Sequence, residues 1–191
     1  MTDAGRIMTI YEKADDLMYN HGLLKLLKKY GDVHIVGSYR MGIMTWNDID
    51  FYMDKSGLNT QNYYNLTSDI VKEMMPSCFN GEINIKNGMA FMGFETKISE
   101  ERWNIDIWWK DKAEIDNSLA YANDIVQLIQ KRPELKEAVM KIKQELIMRG
   151  LYGFDKGKKH YHSKEIYDAV FNEGIVTTEQ FLHSDRSESG E

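Results

Sequence analysis

The chain has 191 residues and a mass of 22.3 kDa, with 24 Lys and Arg against 30 Asp and Glu, for a formal charge of -6. That length suits one domain or a domain with a small helical appendage, and the negative balance disfavours long-range attraction to a polyphosphate backbone, so nucleic acid is a disfavoured partner. Cys78 stands alone, which excludes an intrachain disulfide; with no apolar run long enough for a membrane span and charges scattered through the first residues, the expectation is a soluble, cytoplasmic protein.

Residues 4 to 30 carry Ile7, Ile10, Tyr11, Ala14, Leu17 and Met18 at helical spacing, a break at His21-Gly22, then a second apolar cluster ending at Gly31. "VHIVG" reads as a short buried strand ending at Gly37, and "DIDFYMD" as a second strand. "NTQNYYNLTSDIVKEMM" reads as a helix capped by Asn59 or Thr60 and stopped by Pro76. Asn87-Gly88 lies between two alternating runs, a hairpin signal, and "RWNIDIWWK" supplies a further strand.

From Ile115 the pattern is helical only, with Pro133 in the first-turn position of "PELKEAVMKIKQELIMRG" and two short helices after residue 162. The fold class is therefore α+β: a mixed β-sheet with flanking helices over residues 1–114, a helical subdomain over 115–183, and a disordered tail over 184–191.

In a strand, alternate side chains share a face, so Asp48 and Asp50 project together while Ile49 and Phe51 pack the other way. Two carboxylates at that spacing repel, and a hard divalent cation, Mg²⁺ before others, keeps both ionised. A half-exposed strand also reads acid, apolar, acid, so the triplet alone decides nothing. Gly37 and Ser38 lie upstream with nine residues between Ser38 and Asp48, where a missing side chain and a hydroxyl suit a phosphate. A metal held beside a triphosphate is the arrangement phosphoryl-transfer chemistry uses. Asp106 is another isolated acid in an apolar strand; placed beside Asp48 and Asp50 it makes a three-carboxylate, two-metal site, and pointing outward it is a solvated residue.

Gly37-Ser38, Asp48-Ile49-Asp50 and the later strand acid Asp106 resemble the nucleotidyltransferase superfamily with the DNA polymerase beta fold, over about residues 30 to 110. The resemblance implies that Gly37 and Ser38 hold a nucleoside triphosphate, with ATP the expected donor, that Asp48 and Asp50 bind Mg²⁺, and that Asp106 shares a metal or takes the acceptor proton. Arg40 occupies a place where small members carry a basic residue that meets a phosphate oxygen; a plain surface arginine is an equal reading. The size and the helical half look like the aminoglycoside- and lincosamide-type antibiotic members, which implies transfer of a nucleoside monophosphate to a hydroxyl of a small-molecule acceptor with release of pyrophosphate. Two rivals stand beside it: an antitoxin-like member that modifies a protein partner, and a catalytically silent nucleotide-binding or interaction module.

Lys156, Lys158, Lys159, His160 and His162 form the most basic stretch, read as a solvated loop or as an anion-steering one. The two histidines lack ligand-spaced companions for zinc. Trp46, Trp103, Trp108 and Trp109 crowd the acid-bearing strands and suit core packing or stacking on a ring. Leu135, Val139, Ile142 and Leu146 form a helical stripe that suits a neighbouring helix or a homodimer contact, or one wall of the acceptor cleft.

Overall fold

The structure is a computed structural model describing residues 8–98, 100–153 and 160–184. Short helices α1 (Ile10–Asp15) and α2 (Leu23–Leu27) flank a π turn at Asp16–Asn20. Strand β1 (Val33–Val36) leads into α3 (Gly37–Met41), then β2 (Asp48–Asp54), α4 (Thr60–Met74), β3 (Cys78–Asn84), β4 (Met89–Ile98) and β5 (Glu101–Lys110). Helices α5 (Lys112–Lys131), α6 (Glu134–Met148), α7 (Ser163–Tyr167) and α8 (Thr178–His183) follow, with a π turn at Asp168–Asn172 after α7.

The sheet order is β1-β2-β5-β4-β3. β2 and β5 pair in parallel and every other neighbouring pair is antiparallel, so the sheet is mixed, as expected. Ile49, Phe51 and Met53 of β2, Met92 and Phe94 of β4, and Trp103, Ile105 and Ile107 of β5 are buried in one core. Leu17, Leu23 and Leu27 near the N-terminus and Leu66 and Ile70 of α4 belong to the same core. One sheet face is therefore committed to packing, and period-two alternation sends the acids to the other.

Several boundaries differ from the sequence reading. The N-terminal break falls at Gly22, φ +78°, where the sequence reading sets it, but a π turn, Asp16–Asn20, also interrupts the stretch ahead of it. β1 ends at Val36, and Gly37-Ser38 open the first turn of α3 rather than closing a strand. β3 begins at Cys78, before the alternating run starts, because β4 is long enough to pair with it from Cys78 to Asn84. The hairpin connection holds a 3₁₀ turn, Ile85–Asn87, ahead of Gly88, so it is longer than a two-residue turn. Pro133 is the N-cap of α6, one position before the first turn.

The chain groups into two compact units that divide between Asn123 and Asp124, inside α5 and later than the expected boundary at Glu114. In the second unit Leu135, Val139, Ile142 and Leu146 are buried, and α6 packs on α7, α8 and the intervening π turn. The stripe is covered within its own unit, which removes the reason for assigning it to a second subunit. The expected tail beyond Ser184 lies outside the described residues.

Candidate active site

The parallel pairing of β2 with β5 sets Asp48 beside Asn104 and Asp50 beside Asp106. On the far side of Asp106 lies Gly93 of β4, and on the far side of Asp50 lies Val36, the residue before Gly37. Asp48, Asp50 and Asp106 thus share one sheet face, as expected from their alternation. Asn104 donates its Nδ2–H to Asp48 Oδ1 at 2.7 Å. Burial, and then the charge of Asp48, push the Asp106 carboxyl up to about 6, and the Asn104 amide offsets part of that rise.

Gly37 is required by contact as well as by conformation. Its φ is +64°, and a Cβ there would stand 2.0 Å from Asp50 Oδ2. The turn therefore lies directly against one of the acids. Ser38 is 5% exposed. Two tyrosines hold α3 in place: Tyr39 donates its hydroxyl to Asp15, and Tyr11 accepts the Met44 N–H at 2.8 Å. Burial, reinforced by the Asp15 carboxylate, holds the Tyr39 phenol above its usual range. Gly93 plays a related part under Asp106, where a Cβ would stand 3.0 Å from Oδ1 and closer still to the Phe91 ring.

A cleft of about 210 Å³ opens beside this turn, lined among others by Gly37, Asp50, Tyr52, Trp108 and Tyr121. Arg40 does not line it; the guanidinium is exposed and donates to Asn123 Oδ1 at 3.2 Å. Trp103 and Trp109 are core residues, whereas Trp46 and Trp108 are partly exposed. His160 Nε2 lies 3.1 Å from the Gly150 carbonyl oxygen, and the His162 N–H donates to Glu165 Oε2 at 2.6 Å. Lys156, Lys158 and Lys159 lie outside the described residues.

Among the described residues no three His, Cys, Asp or Glu side chains are gathered tightly enough to hold a metal ion as they stand. The donor set nevertheless fits a hard divalent cation. It consists of carboxylates alone, on two paired strands, and burial first and then the charge of Asp48 raise the Asp106 carboxyl, both of which a bound cation would oppose.

Sequence reasoning missed Asn104, Gly93, Tyr52 and the Tyr11–Tyr39–Asp15 brace. Gly93 had a signal, a glycine inside a strand pattern; Asn104 had only its place two residues before Asp106.

No protein-family model and no curated protein matches the chain. Solved structures do. The non-canonical poly(A) polymerase complex GLD-2–GLD-3 aligns at TM-score 0.63 and 13% identity, over 99% of this chain and 61% of that one. The polymerase core of TRAMP, an RNA surveillance complex, aligns at 0.58 and 22%, over 85% and 48%. A mutant Cid1 poly(U) polymerase bound to MgATP aligns at 0.54 and 14%, over 75% and 44%. The chain has the polymerase-beta-like nucleotidyltransferase fold. It spans about half the length of the structures it matches, and at these identities the shared property is the fold. None of these structures is an antibiotic-modifying member, and that finer likeness rests on the sequence reading of size and helical half.

Proposed function

We propose that the protein is a Mg²⁺-dependent nucleotidyltransferase that moves a nucleoside monophosphate from a nucleoside triphosphate, ATP being the expected donor, to a hydroxyl, with release of pyrophosphate. The observation that carries this reading is the side-by-side register of Asp50 and Asp106, with Asp48 on the same face and Gly37 packed against Asp50. Asp48, Asp50 and Asp106 would hold Mg²⁺, which would supply charge neutralisation at the phosphates. Gly37 and Ser38 seat the triphosphate end of the donor, and Tyr52 and Trp108 wall the cleft beside it. Asp106, with its raised pKa, is suited to accept the proton of the attacking hydroxyl. Arg40, turned toward Asn123, is a surface residue in this reading.

A small-molecule acceptor is favoured by the charge of -6, which opposes a polyanion. An RNA 3′ hydroxyl is a second reading, favoured by neighbours described as poly(A) and poly(U) polymerases; net charge alone no longer sets nucleic acid aside. The test is transfer from each of four α-labelled nucleoside triphosphates, with and without Mg²⁺, to a short RNA and to a panel of hydroxylated small molecules. Asp48→Asn and Asp50→Asn are expected to lower transfer by roughly 10²–10³-fold or more while the protein stays folded. Unchanged turnover in either variant overturns the site, and no Mg²⁺-dependent thermal shift with any triphosphate moves the reading to a silent module.

A further inference from the structure

The acids divide one sheet face into two clefts. On the side of Tyr52 and Trp108, which line it, lies the cleft that holds Gly37. In the opposite direction, beyond Asp48, a groove of about 410 Å³ is lined by Trp46, Asn47, Glu95, Arg102 and Asn104. Glu95, Asn104 and Asp48 are successive neighbours across β4, β5 and β2, so their side chains share the face of the acids. Asn104 belongs to both places: it lines the groove and donates to Asp48.

We propose that this groove is the acceptor site and that it takes a neutral, polyhydroxylated ring, with the ring's apolar face on the Trp46 indole and its hydroxyls on Glu95, Arg102, Asn47 and Asn104. The inference rests on the nucleotidyl-transfer reading. With the donor beside Gly37 and the acceptor beyond Asp48, the acids stand between the two substrates, where an in-line displacement needs them. The acceptor oxygen forms a bond to the α-phosphorus, its proton goes to Asp106, the bond to the bridging oxygen breaks, and pyrophosphate leaves.

The chemistry of the lining selects the ligand. Trp46 is 40% exposed, an open aromatic face at the rim of a polar groove. Arg102 Nη1 and Glu95 Oε2 lie 3.3 Å apart, so the lining itself carries one charge of each sign, and with the nearby acids engaged by Mg²⁺ it favours a neutral ligand over a charged one. The pair still offers a row of donors beside a row of acceptors, which matches vicinal hydroxyls. Asn47 is held in place by bonds to Glu101 Oε2 at 3.3 Å and the Arg102 carbonyl oxygen at 3.1 Å.

The experiment is ligand-observed NMR on the full chain with Mg²⁺ and ATP present. Methyl α-D-glucopyranoside and its galacto isomer are the probes; glucosamine, glucuronate and a short oligoadenylate RNA are the comparators. Saturable binding of a neutral pyranoside is expected, weakened at least fivefold by Trp46→Ala and by Arg102→Ala and kept within about twofold by Trp46→Phe. The MgATP-induced thermal shift is expected to be unchanged in all three variants. Equal binding in Trp46→Ala and wild type, or tighter binding of the charged sugars or of the RNA, overturns the inference. Absence of any MgATP shift in the wild type overturns the nucleotidyl reading instead, so the two failures are told apart.

Discussion

Asp106, a candidate site residue, costs stability that a purely structural residue in its place would add. Its carboxyl is held at about 6 against an ordinary value of 3.8, mainly by burial. A carboxyl raised in this way contributes stability that is full below its unfolded value and lost as pH rises through about 6. With chelator present, Asp106→Asn is therefore expected to raise the unfolding free energy at pH 8 by ~1–2 kcal/mol, a figure discounted for the group's partial solvent access. The gain is expected to vanish near pH 4, and paired urea titrations at the two pH values check it. Gly37→Ala is expected to cost about 1–3 kcal/mol and to abolish MgATP binding, because the added methyl meets Asp50 in a left-handed conformation; denaturant unfolding and a nucleotide thermal shift read both. The three acids were legible as isolated charges in apolar strands. Asn104 was not, since a polar residue on an exposed strand face is ordinary and only pairing with β2 reveals what it touches.

At the scale of elements, legibility followed length and local chemistry. α4 was readable from its caps, and the structure shows Asn59 accepting the Asn62 N–H at 2.9 Å; Asn59→Ala is expected to cost about 1 kcal/mol by chemical denaturation, with the site unaffected. β2, β5 and the hairpin were readable from alternation and turn residues. α3 was not, because five residues are too few to show a period and its helix is held by tertiary contacts. Tyr39→Phe removes the bond to Asp15, and the expected loss is about 1 kcal/mol of stability with a weaker MgATP shift, since α3 carries the Gly37-Ser38 turn. A stability loss without any change in nucleotide binding would show that the brace does not reach the site.

For the whole molecule, the central strands are the ones that matter most. β2, β5 and β4 each pair on both sides, with β5 in the middle, whereas among the described residues β1 and β3 are the edges. Hydrogen exchange is expected to be slowest in β2 and β5 and faster at the outward amides of β3 by at least tenfold, read residue by residue by NMR. Among the described residues no helix is long and apolar enough to cross a membrane.

The amino-acid sequence by itself determined the longer elements, the α+β class and the three acids as candidates, because alternation, caps and turn residues are local properties written in a few adjacent positions. Tertiary structure alone decided that Asp50 and Asp106 stand side by side, that Gly37 and Gly93 leave room against them, and that the units divide within α5. Those facts depend on which distant strands pair and in what register, and pairing is settled by burying one face of the whole sheet at once.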